Sequence, residues 1–409
     1  MDLTRRAFLT RTALIGCSAA ASPLLTPISF AAAPFEQRFV VIILRGAMDG
    51  VDVVQPYGDR ALAGLRPKLG FGEAAGALDL DGMFALHPGL AGLMPLWAAG
   101  ELGFAHAVST PYRDKRSHFD GQDLLEAGTA ELGAATGRDG WLNRMLQTVP
   151  GLSTETAYAI GHDEMTVLSG RAPVANWAPD AALELSPQAR RLMEKVMHDD
   201  PLFRDALAEA LLLARVEGVM DDEAAMGGMA GMSGMAGMGG MEPATQGLGA
   251  IADFAAERLR GPARIAAFSI GGWDTHAGQS KAIGRALGEL QETILRLKAG
   301  LGPIWGQTAV VAMTEFGRTA RENGTGGTDH GTGGAALMAG GAIKGGRVYG
   351  EWPGLEERAL YQGRDLMPTR DVRAYAGWIM RGLFGLETSL LESAVFPGLD
   401  MGKNPGLTL

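Results

Sequence analysis

Two short segments of the sequence combine carboxylates with imidazoles at spacings suited to a metal site. GGWDTH places Asp274 and His276 two residues apart, and GTDHGTGG places His330 in a glycine-rich loop. Residues two apart on an extended segment point to the same side, so Asp274 and His276 can face one cation. Two ligands do not close a stable site, and His330 is the best-placed source of a third. We therefore predict a metal-ligand turn at GGWDTH, with Trp273 packed beneath it.

The alternative interpretation of GGWDTH is a hydrogen-bonded turn in which Asp274 only orients His276, because an aspartate in a glycine turn is usually a turn residue. The metal interpretation is favoured by similar polar clusters elsewhere in the chain. RGAMDG contains Asp49, MTEFGRT contains Glu315, and GTDHGTGG also contains Asp329. Hard oxygen ligands with imidazoles suit zinc, manganese, magnesium or calcium.

These clusters follow apolar runs that have the length and composition of buried strands. Helical patterns alternate with the runs at 86–100, 117–128 and 280–300. This alternation predicts an α/β fold with a mostly parallel central sheet covered by helices on both faces. In such sheets ligands gather beyond the carboxyl ends of the strands, where the clusters lie. The predicted strands are RFVVIILRG (38–46), LGFAHAVS (102–109), AYAIG (157–161), ARIAAFSIGG (263–272), TAVVAMTEFG (308–317) and GGAALMAGG (333–341).

A hydroxyl nucleophile has one candidate, Ser117, at the start of the predicted helix SHFDGQDLLEAG. A helix N-terminus favours developing negative charge, and a nearby cation would lower the pKa of the hydroxyl. The alternative role is that of an ordinary N-cap. Several arginines could bind a phosphate or sulfate in a bidentate manner, or pair instead with the surplus carboxylates of the site. They are Arg45, Arg113, Arg116 and Arg318.

The first thirty residues have the layout of a twin-arginine export signal. Arg5 and Arg6 precede a short apolar stretch that ends in small residues. This layout predicts a signal over residues 1–31 and a mature chain 32–409 that the twin-arginine export machinery carries to the periplasm or beyond. The residues before Cys17 also resemble a lipoprotein cleavage box, which would give a lipid anchor instead. Cys17 is the only cysteine, so thiolate metal sites and cysteine nucleophiles are excluded from the rest of the chain.

The charge balance narrows the range of partners. The full chain has a formal charge of −10, and residues 1–31 contain three arginines and one aspartate, so the mature chain has −12. An acidic chain without a basic stripe is not expected to bind nucleic acid or anionic membranes. No segment outside the signal reaches the ~18 apolar residues that a membrane span needs, so we expect no transmembrane segment.

The segment MGGMAGMSGMAGMGGM lies outside the alternating pattern. Thioethers at close spacing are ligands for Cu(I), so copper contact is one interpretation and a low-complexity insert is the other. We predict a helical insertion at about 180–260 that carries this methionine-rich loop. Because the loop offers no surface to bury, it should be dispensable for folding. Its methionines recur at every third position, as Met226, Met229, Met232, Met235, Met238 and Met241.

Several motifs, taken in order along nearly the whole mature chain, resemble the twin-arginine-exported domain-of-unknown-function family 1501. That family is grouped with the alkaline phosphatase–sulfatase superfamily. The resemblance implies an alkaline-phosphatase-like α/β sandwich with one or two metals beside a hydroxyl nucleophile, although most members of this branch have no assigned reaction. The motifs are RGAMDG, SHFDGQD, GWL, GGWDTH, TEFGRT, GTDHGTGG and VYGEWPGL.

The resemblance also implies roles for single residues. Asp49 matches the first metal aspartate of the superfamily, and Ser117 occupies its nucleophile position. Asp274 and His276 resemble the Asp–His pair of the other metal, although the superfamily usually spaces that pair further apart. The dipeptide Asp329-His330 resembles the final metal histidine.

One part of the superfamily pattern is missing. Glu315-Phe316 stands where an Asp–His pair is normal, so either His118 replaces the absent imidazole or the second metal binds weakly or not at all. Two function classes follow. The first is an exported metal-dependent hydrolase of small anionic phosphate or sulfate esters, with Ser117 attacking, His118 and Arg318 assisting, and the metal stabilising the oxyanion. The alternative is a non-catalytic exported binding protein on the same fold.

Overall fold

The architecture is seen in a computed structural model of the chain, which describes residues 35–131, 133, 139–161, 163–179 and 243–409. A large central sheet and a small antiparallel sheet are formed by strands that we number in chain order. They are β1 (Arg38–Leu44), β2 (Val54–Gln55), β3 (Leu78–Asp79), β4 (Ala85–Leu86), β5 (Leu102–Ser109), β6 (Ala157–Ile160), β7 (Ala175–Trp177), β8 (Ile265–Ile270), β9 (Thr308–Thr314), β10 (Gly334–Ala339), β11 (Arg347–Tyr349) and β12 (Arg370–Asp371).

The central sheet is mostly parallel. Its strand order is β11-β5-β10-β9-β1-β8-β6-β7, and β12 also pairs with β5. Within this sheet, as far as the structure describes it, only β10 runs opposite to the other strands, pairing antiparallel with both β5 and β9. Leu44, the last residue of β1, lies between Ile270 of β8 and Thr314 of β9, so the three strands end together. The carboxyl ends of β1, β8 and β9 therefore meet at one edge of the sheet.

Helices cover both faces of the central sheet. We number them α1 (Gly50–Val53), α2 (Leu62–Leu65), α3 (Met94–Ala98), α4 (His118–Ala127), α5 (Trp141–Gln147), α6 (Pro243–Arg260), α7 (Gln279–Leu301), α8 (Val372–Phe384) and α9 (Thr388–Leu390). Short 3-10 helices lie at Glu73–Ala75, Pro88–Leu93, Thr154–Thr156, Thr166–Leu168, Gly302–Gln307 and Glu357–Ala359, and a π-helix at Leu391–Val395.

The side chains of β1 explain the two layers. Successive residues of a strand point to opposite faces, and every residue of β1 is buried. Val40 and Ile42 pack in one apolar cluster with residues of α6 and α7. Phe39 and Val41 pack in a second cluster with residues of α5 and α8. A continuous apolar run is thus required here, because both faces of the strand are covered.

The predicted fold class and the six predicted strands are confirmed, as β1, β5, β6, β8, β9 and β10. The predicted helix at 86–100 is instead a 3-10 helix, Pro88–Leu93, followed by α3. Pro95 stands in the first turn of α3, and a proline has no N–H to continue a helix from the preceding turn.

Some predictions lie outside the described residues. They concern the export signal, Cys17, residues 180–242 and the methionine-rich loop, and they stay predictions. Of the predicted insertion at about 180–260, the structure describes the C-terminal part as α6. The buried side chains of α6 belong to the apolar cluster against one face of the sheet. Among the helices that the structure describes, none has the length and apolar character required to cross a membrane.

Candidate metal centre

The candidate site lies beyond the carboxyl ends of β8 and β9, where their loops pack on the loop that leads into β10. Glycines make this close packing possible. A Cβ on Gly331 would lie 2.3 Å from the carbonyl carbon of Arg318, and a Cβ on Gly46 would lie 2.7 Å from the backbone nitrogen of Asp274. Trp273 is fully buried beneath the turn and donates its ring N–H to the carbonyl of Ile270 at 3.0 Å, as predicted.

Three imidazoles converge on the carboxylate of Asp274. The Nε2 atoms of His276 and His330 are 2.9 Å apart, and they lie 3.1 and 3.3 Å from Oδ1 of Asp274. Nε2 of His118 lies 3.5 Å from Oδ2 of the same carboxylate. One ligand atom from each of His118, Asp274 and His330 falls within 4.8 Å of the others. The structure therefore brings together the three residues that the sequence predicted as one site and adds His118.

Each imidazole is held from behind through its other nitrogen. Nδ1 of His118 lies 2.7 Å from Oε1 of Glu315, and Nδ1 of His330 lies 2.9 Å from the carbonyl oxygen of Arg116. Nδ1 of His276 lies 3.4 Å from Oδ1 of Asp329. A carbonyl and a carboxylate only accept hydrogen bonds, so the proton belongs on Nδ1. The lone pair of each Nε2 then faces Asp274, as in carboxylate–histidine–metal arrangements.

These residues fit a divalent cation. Nε2 of His118 is buried and, in the described part of the chain, has no hydrogen-bond partner. The distances from the three Nε2 atoms to the Asp274 carboxylate, and between those of His276 and His330, run from 2.9 to 3.5 Å. Ligand atoms of a tetrahedral zinc site with bonds of ~2.0–2.1 Å stand ~3.3 Å apart. A set of imidazole nitrogens and a carboxylate oxygen suits zinc or manganese. It suits a cation that prefers oxygen ligands alone less well.

The electrostatics of the group favour a cation but let protons compete for the same atoms. The hydrogen bond that Nδ1 of His118 donates to Glu315 raises the pKa of His118, whereas burial lowers the pKa of His330. Burial alone would raise the pKa of Asp274, but the hydrogen bond and charge of Arg318 hold it below its usual range. Asp274 is therefore ionised at neutral pH. Metal binding should weaken as the pH falls, since His118 gains a proton on the atom that would bind the cation.

Glu315 lies behind His118 rather than among the converging atoms, although the sequence predicted it as a ligand. Its carboxylate is fully buried and accepts from the backbone N–H groups of Gly46 and Ala47 at 3.0 Å each. Phe316, which stands where the superfamily pattern has an imidazole, stacks on the His118 ring with centroids 5.3 Å apart. The TEF motif thus orients a histidine from another part of the chain.

We expect Glu315→Gln to weaken zinc binding about 10- to 100-fold, because a neutral amide oxygen is a weaker acceptor for the Nδ1 proton of His118 than a carboxylate and makes Nε2 a less basic ligand. Zinc affinity would be measured by competition with a chromogenic chelator. Glu351→Gln, a change of the same type at an exposed position, is the matched control and should leave the affinity unchanged. An affinity within threefold of wild type would show that Glu315 does not position a ligand.

Asp49 is not part of the converging group. It is fully buried and bound by Arg66, whose Nη1 and Nη2 donate to Oδ2 and Oδ1 at 2.8 and 3.0 Å. Gln279 donates to Oδ2 at 2.7 Å, and Asp49 also caps α1 through the backbone N–H of Val51. With these bonds its carboxylate has no oxygen directed to a cation. The resemblance implied a metal aspartate here, and the structure places a guanidinium against it instead.

Arg318 is buried and positions the loops around the site. Its guanidinium donates to the carbonyls of Gly46 and Ala47 at 2.6 and 2.7 Å, and to Oδ1 of Asp274 at 2.6 Å. These bonds occupy N–H groups of the guanidinium that a substrate anion would need. Arg318 therefore orients Asp274 and ties the end of β1 to the GGWDTH turn, which is the alternative role, pairing with a carboxylate of the site, and not that of an anion clamp.

The other three arginines that the sequence predicted as anion clamps each have a different environment. Arg45 pairs with Glu126 at 2.9 Å, and Arg113 donates to the carbonyl of Tyr112 at 2.7 Å. The side chain of Arg116 is exposed, while its carbonyl holds His330. Arg116 is thus the predicted clamp that stands at the surface beside the site.

Ser117 caps α4 immediately before His118. Its hydroxyl accepts the N–H of Asp120 at 3.4 Å, a long bond, and its own N–H donates to the Tyr112 hydroxyl at 2.8 Å. The predicted N-cap role is thus observed. Ser117 is half-buried and precedes His118, an imidazole of the converging group, in the chain.

Asp329, which the sequence predicted as a metal residue, holds His276 from behind instead of joining the converging atoms. The sequence did not indicate the groups that hold Asp329 and His330. Asn323 donates to Oδ1 of Asp329 at 3.0 Å and to the carbonyl of His276 at 2.9 Å. The acceptor for His330 is a backbone carbonyl, that of Arg116, at a residue with φ of +56°. A main-chain atom has no sequence signal, whereas the polar turn RENGTGG could have drawn attention to Asn323.

Comparison with known proteins places the chain in a family without a known reaction. The family described as "Protein of unknown function (DUF1501)" matches residues 96–374. No curated protein matches the chain at significant similarity.

Solved structures resemble the chain distantly. A protein in the alkaline phosphatase superfamily from Vibrio parahaemolyticus is 12% identical with a TM-score of 0.32, over 75% of this chain and 62% of that one. The chain thus spans less than two thirds of that relative. The lipoteichoic acid synthase LtaP from Listeria monocytogenes is 10% identical with a TM-score of 0.40, over 93% of this chain and 77% of that one.

Proposed function

We propose that this chain, which belongs to the DUF1501 family, is a metal-dependent hydrolase of small phosphate or sulfate esters. The convergence of three Nε2 atoms on the carboxylate of Asp274, with the buried Nε2 of His118 lacking a hydrogen-bond partner in the described residues, carries this proposal. A divalent cation held there would supply a Lewis acid for an ester oxygen and would lower the pKa of a nearby hydroxyl.

His118, His330 and Asp274 would hold the cation. The side chain of His330 is 17% exposed and that of His118 24%, whereas those of Asp274 and His276 are 47% and 44% exposed. The group is therefore closed on the side of α4 and open on the side of His276. A catalytic centre needs such an open side, because the substrate oxygen must reach the cation.

Ser117 is the nucleophile in this proposal. Its position at the N-terminus of α4 favours a developing negative charge on its oxygen, and His118 is the next residue. Arg116, exposed on the other side of Ser117, is available to bind the anionic group of the ester. These three consecutive residues combine an anion-binding cation, a hydroxyl and a metal ligand.

Ser117→Ala should reduce kcat for the hydrolysis of aryl phosphate or sulfate esters at least about 10³-fold, since removing a nucleophile removes the covalent route. The bound metal should stay at the wild-type level. Ser153→Ala removes a serine that caps the 3-10 helix Thr154–Thr156, away from the site, and is the matched control. Turnover and metal content would be measured on the same preparations.

Two outcomes of this experiment would count against the proposal. Activity of Ser117→Ala within threefold of wild type would remove Ser117 from the mechanism. A wild-type protein that binds one metal but turns over no ester would support the alternative, a binding protein on the same fold.

A further inference from the structure

A cavity of about 620 Å³ opens next to residues that support the candidate metal centre, and the four converging residues themselves do not line it. Two of its lining residues also belong to the shell that holds His276. Asp329 contacts Nδ1 of His276 at 3.4 Å, and Asn323 donates to Asp329 at 3.0 Å. The volume is within the ~300–1,000 Å³ that small-molecule sites usually occupy.

The cavity lies behind the ring of His276, on the side of its Nδ1 atom, at the exposed edge of the metal group. Asp329, which lines it, has a side chain that is 52% exposed, and its neighbour His276 is 44% exposed. An ester whose anionic group is bound on the Nε2 side of His276 has to extend past the exposed edge of the His276 ring for its remaining portion to reach Asp329 and the cavity. In a monoester that portion is the alcohol.

The walls of the cavity combine an apolar base with a negatively charged rim. Leucines that are buried in the fold form the base, namely Leu65, Leu355 and Leu360. The rim carries four carboxylates and two guanidiniums, a formal charge of −2, from Glu322, Asp329, Glu356, Glu357, Arg321 and Arg364.

The two guanidiniums are already bound by the protein. Arg364 pairs with the buried Asp365 at 2.7 Å, and Arg321 donates to the carbonyl of Gly64 at 3.1 Å. They are therefore poorly placed to neutralise an anionic ligand. Carboxylates such as Asp329 and Glu357 accept hydrogen bonds from hydroxyl groups but repel a negative charge.

Building on the proposed function, we propose that this cavity binds the alcohol portion of the ester and selects alcohols that carry hydroxyl groups and no negative charge. The rim carboxylates accept hydrogen bonds from the hydroxyls, and the leucines contact the carbon skeleton. A carboxylate on the alcohol would be repelled by Asp329 and Glu357.

A matched pair of substrates tests this selection. Glycerol 3-phosphate and 3-phosphoglycerate carry the same phosphate, and they differ by a hydroxymethyl group in place of a carboxylate. We expect kcat/KM to be at least about tenfold higher for glycerol 3-phosphate, since a like charge inside a partly enclosed cavity is strongly disfavoured. Equal values for the two esters would overturn the proposal.

Glu357→Lys should lower the ratio of the two kcat/KM values, glycerol 3-phosphate over 3-phosphoglycerate, at least about threefold, because it changes the charge of the rim. The matched control is Glu257→Lys on α6, where the side chain is 62% exposed and does not line the cavity. This control should keep the wild-type preference. A Glu357→Lys protein with an unchanged preference would show that the cavity does not contact the alcohol.

A measurement without turnover separates this proposal from the proposed function. Ala61 lines the cavity, and Cys17 is the only cysteine, so the full chain with Cys17→Ser and Ala61→Cys has one thiol. Glycerol 3-phosphate should slow labelling of that thiol by maleimide at least about fivefold, and 3-phosphoglycerate at the same concentration should not.

Protection by glycerol 3-phosphate alone, in a protein that hydrolyses neither ester, would support the cavity proposal and contradict the proposed function. Hydrolysis of both esters without protection of the Ala61→Cys thiol would support the proposed function and contradict the cavity proposal.

Discussion

Replacing His330 with alanine should lower bound zinc from about one equivalent to below about a tenth, and should lower ester hydrolysis at least about 10³-fold. The imidazole of His330 is the least exposed of the three that face Asp274, and its Nε2 lies 3.3 Å from that carboxylate. Its loss removes a ligand from a group that would otherwise close around the cation. Metal content would be measured by mass spectrometry on protein purified without chelators.

His87→Asn is the matched control for this change. His87 is a half-exposed histidine that caps a 3-10 helix through Nδ1, and an asparagine can keep that bond to the N–H of Gly89. The control should bind zinc like the wild type. His276→Ala should give an intermediate loss, because His276 lies on the open side of the group. Full metal content in His330→Ala, with an unchanged circular dichroism spectrum, would rule out this centre.

Arg66→Met should lower the free energy of unfolding by about 3–5 kcal/mol at neutral pH, the usual cost of leaving a buried charge unpaired. Asp49 and Arg66 are both almost fully buried, and Gln279 links Asp49 to the carboxylate of Asp52 at 2.7 Å. Without the guanidinium, two carboxylates would share a buried region with no cation. Urea unfolding would measure the change.

The loss of unfolding free energy caused by Arg66→Met should become smaller as the pH falls from 7 toward 5. Burial alone would raise the pKa of Asp49, but in the wild type the charge and hydrogen bonds of Arg66 hold it below its usual value. In the variant the hydrogen bond from Gln279 and the charge of Arg318 remain, but we expect burial and the neighbouring Asp52 carboxylate to outweigh them, so that the folded-state pKa of Asp49 rises above the unfolded one. Folding then takes up a proton, and the variant regains stability at lower pH.

An exposed pair provides the control for this prediction. Arg296→Met removes ion pairs with Asp253 and Glu292, whose side chains are 58% and 46% exposed, and should cost less than about 1 kcal/mol. An equal cost for Arg66→Met and Arg296→Met would show that the Asp49–Arg66 pair contributes no more than a surface ion pair.

The sequence alone determined the sheet and the edge at which the site lies. Strands buried on both faces must be continuously apolar, so β1, β5, β8, β9 and β10 could be recognised within a few residues of their ends. Parallel strands bring their carboxyl ends to one edge, which made the meeting of Asp274 and His330 predictable across 56 residues. Both inferences depend on patterns local to a segment or on the geometry common to all parallel sheets.

Only the tertiary structure decided which partner each polar side chain has. Asp49 is bound by Arg66 rather than a cation, and Glu315 holds His118, which is 197 residues away in the chain. Arg318 faces carbonyls 271 and 272 residues away, at Ala47 and Gly46. A carboxylate can bind a metal cation, a guanidinium or an imidazole with similar chemistry. The choice depends on which group the packing of distant loops brings within about 3 Å, and no local pattern records that distance.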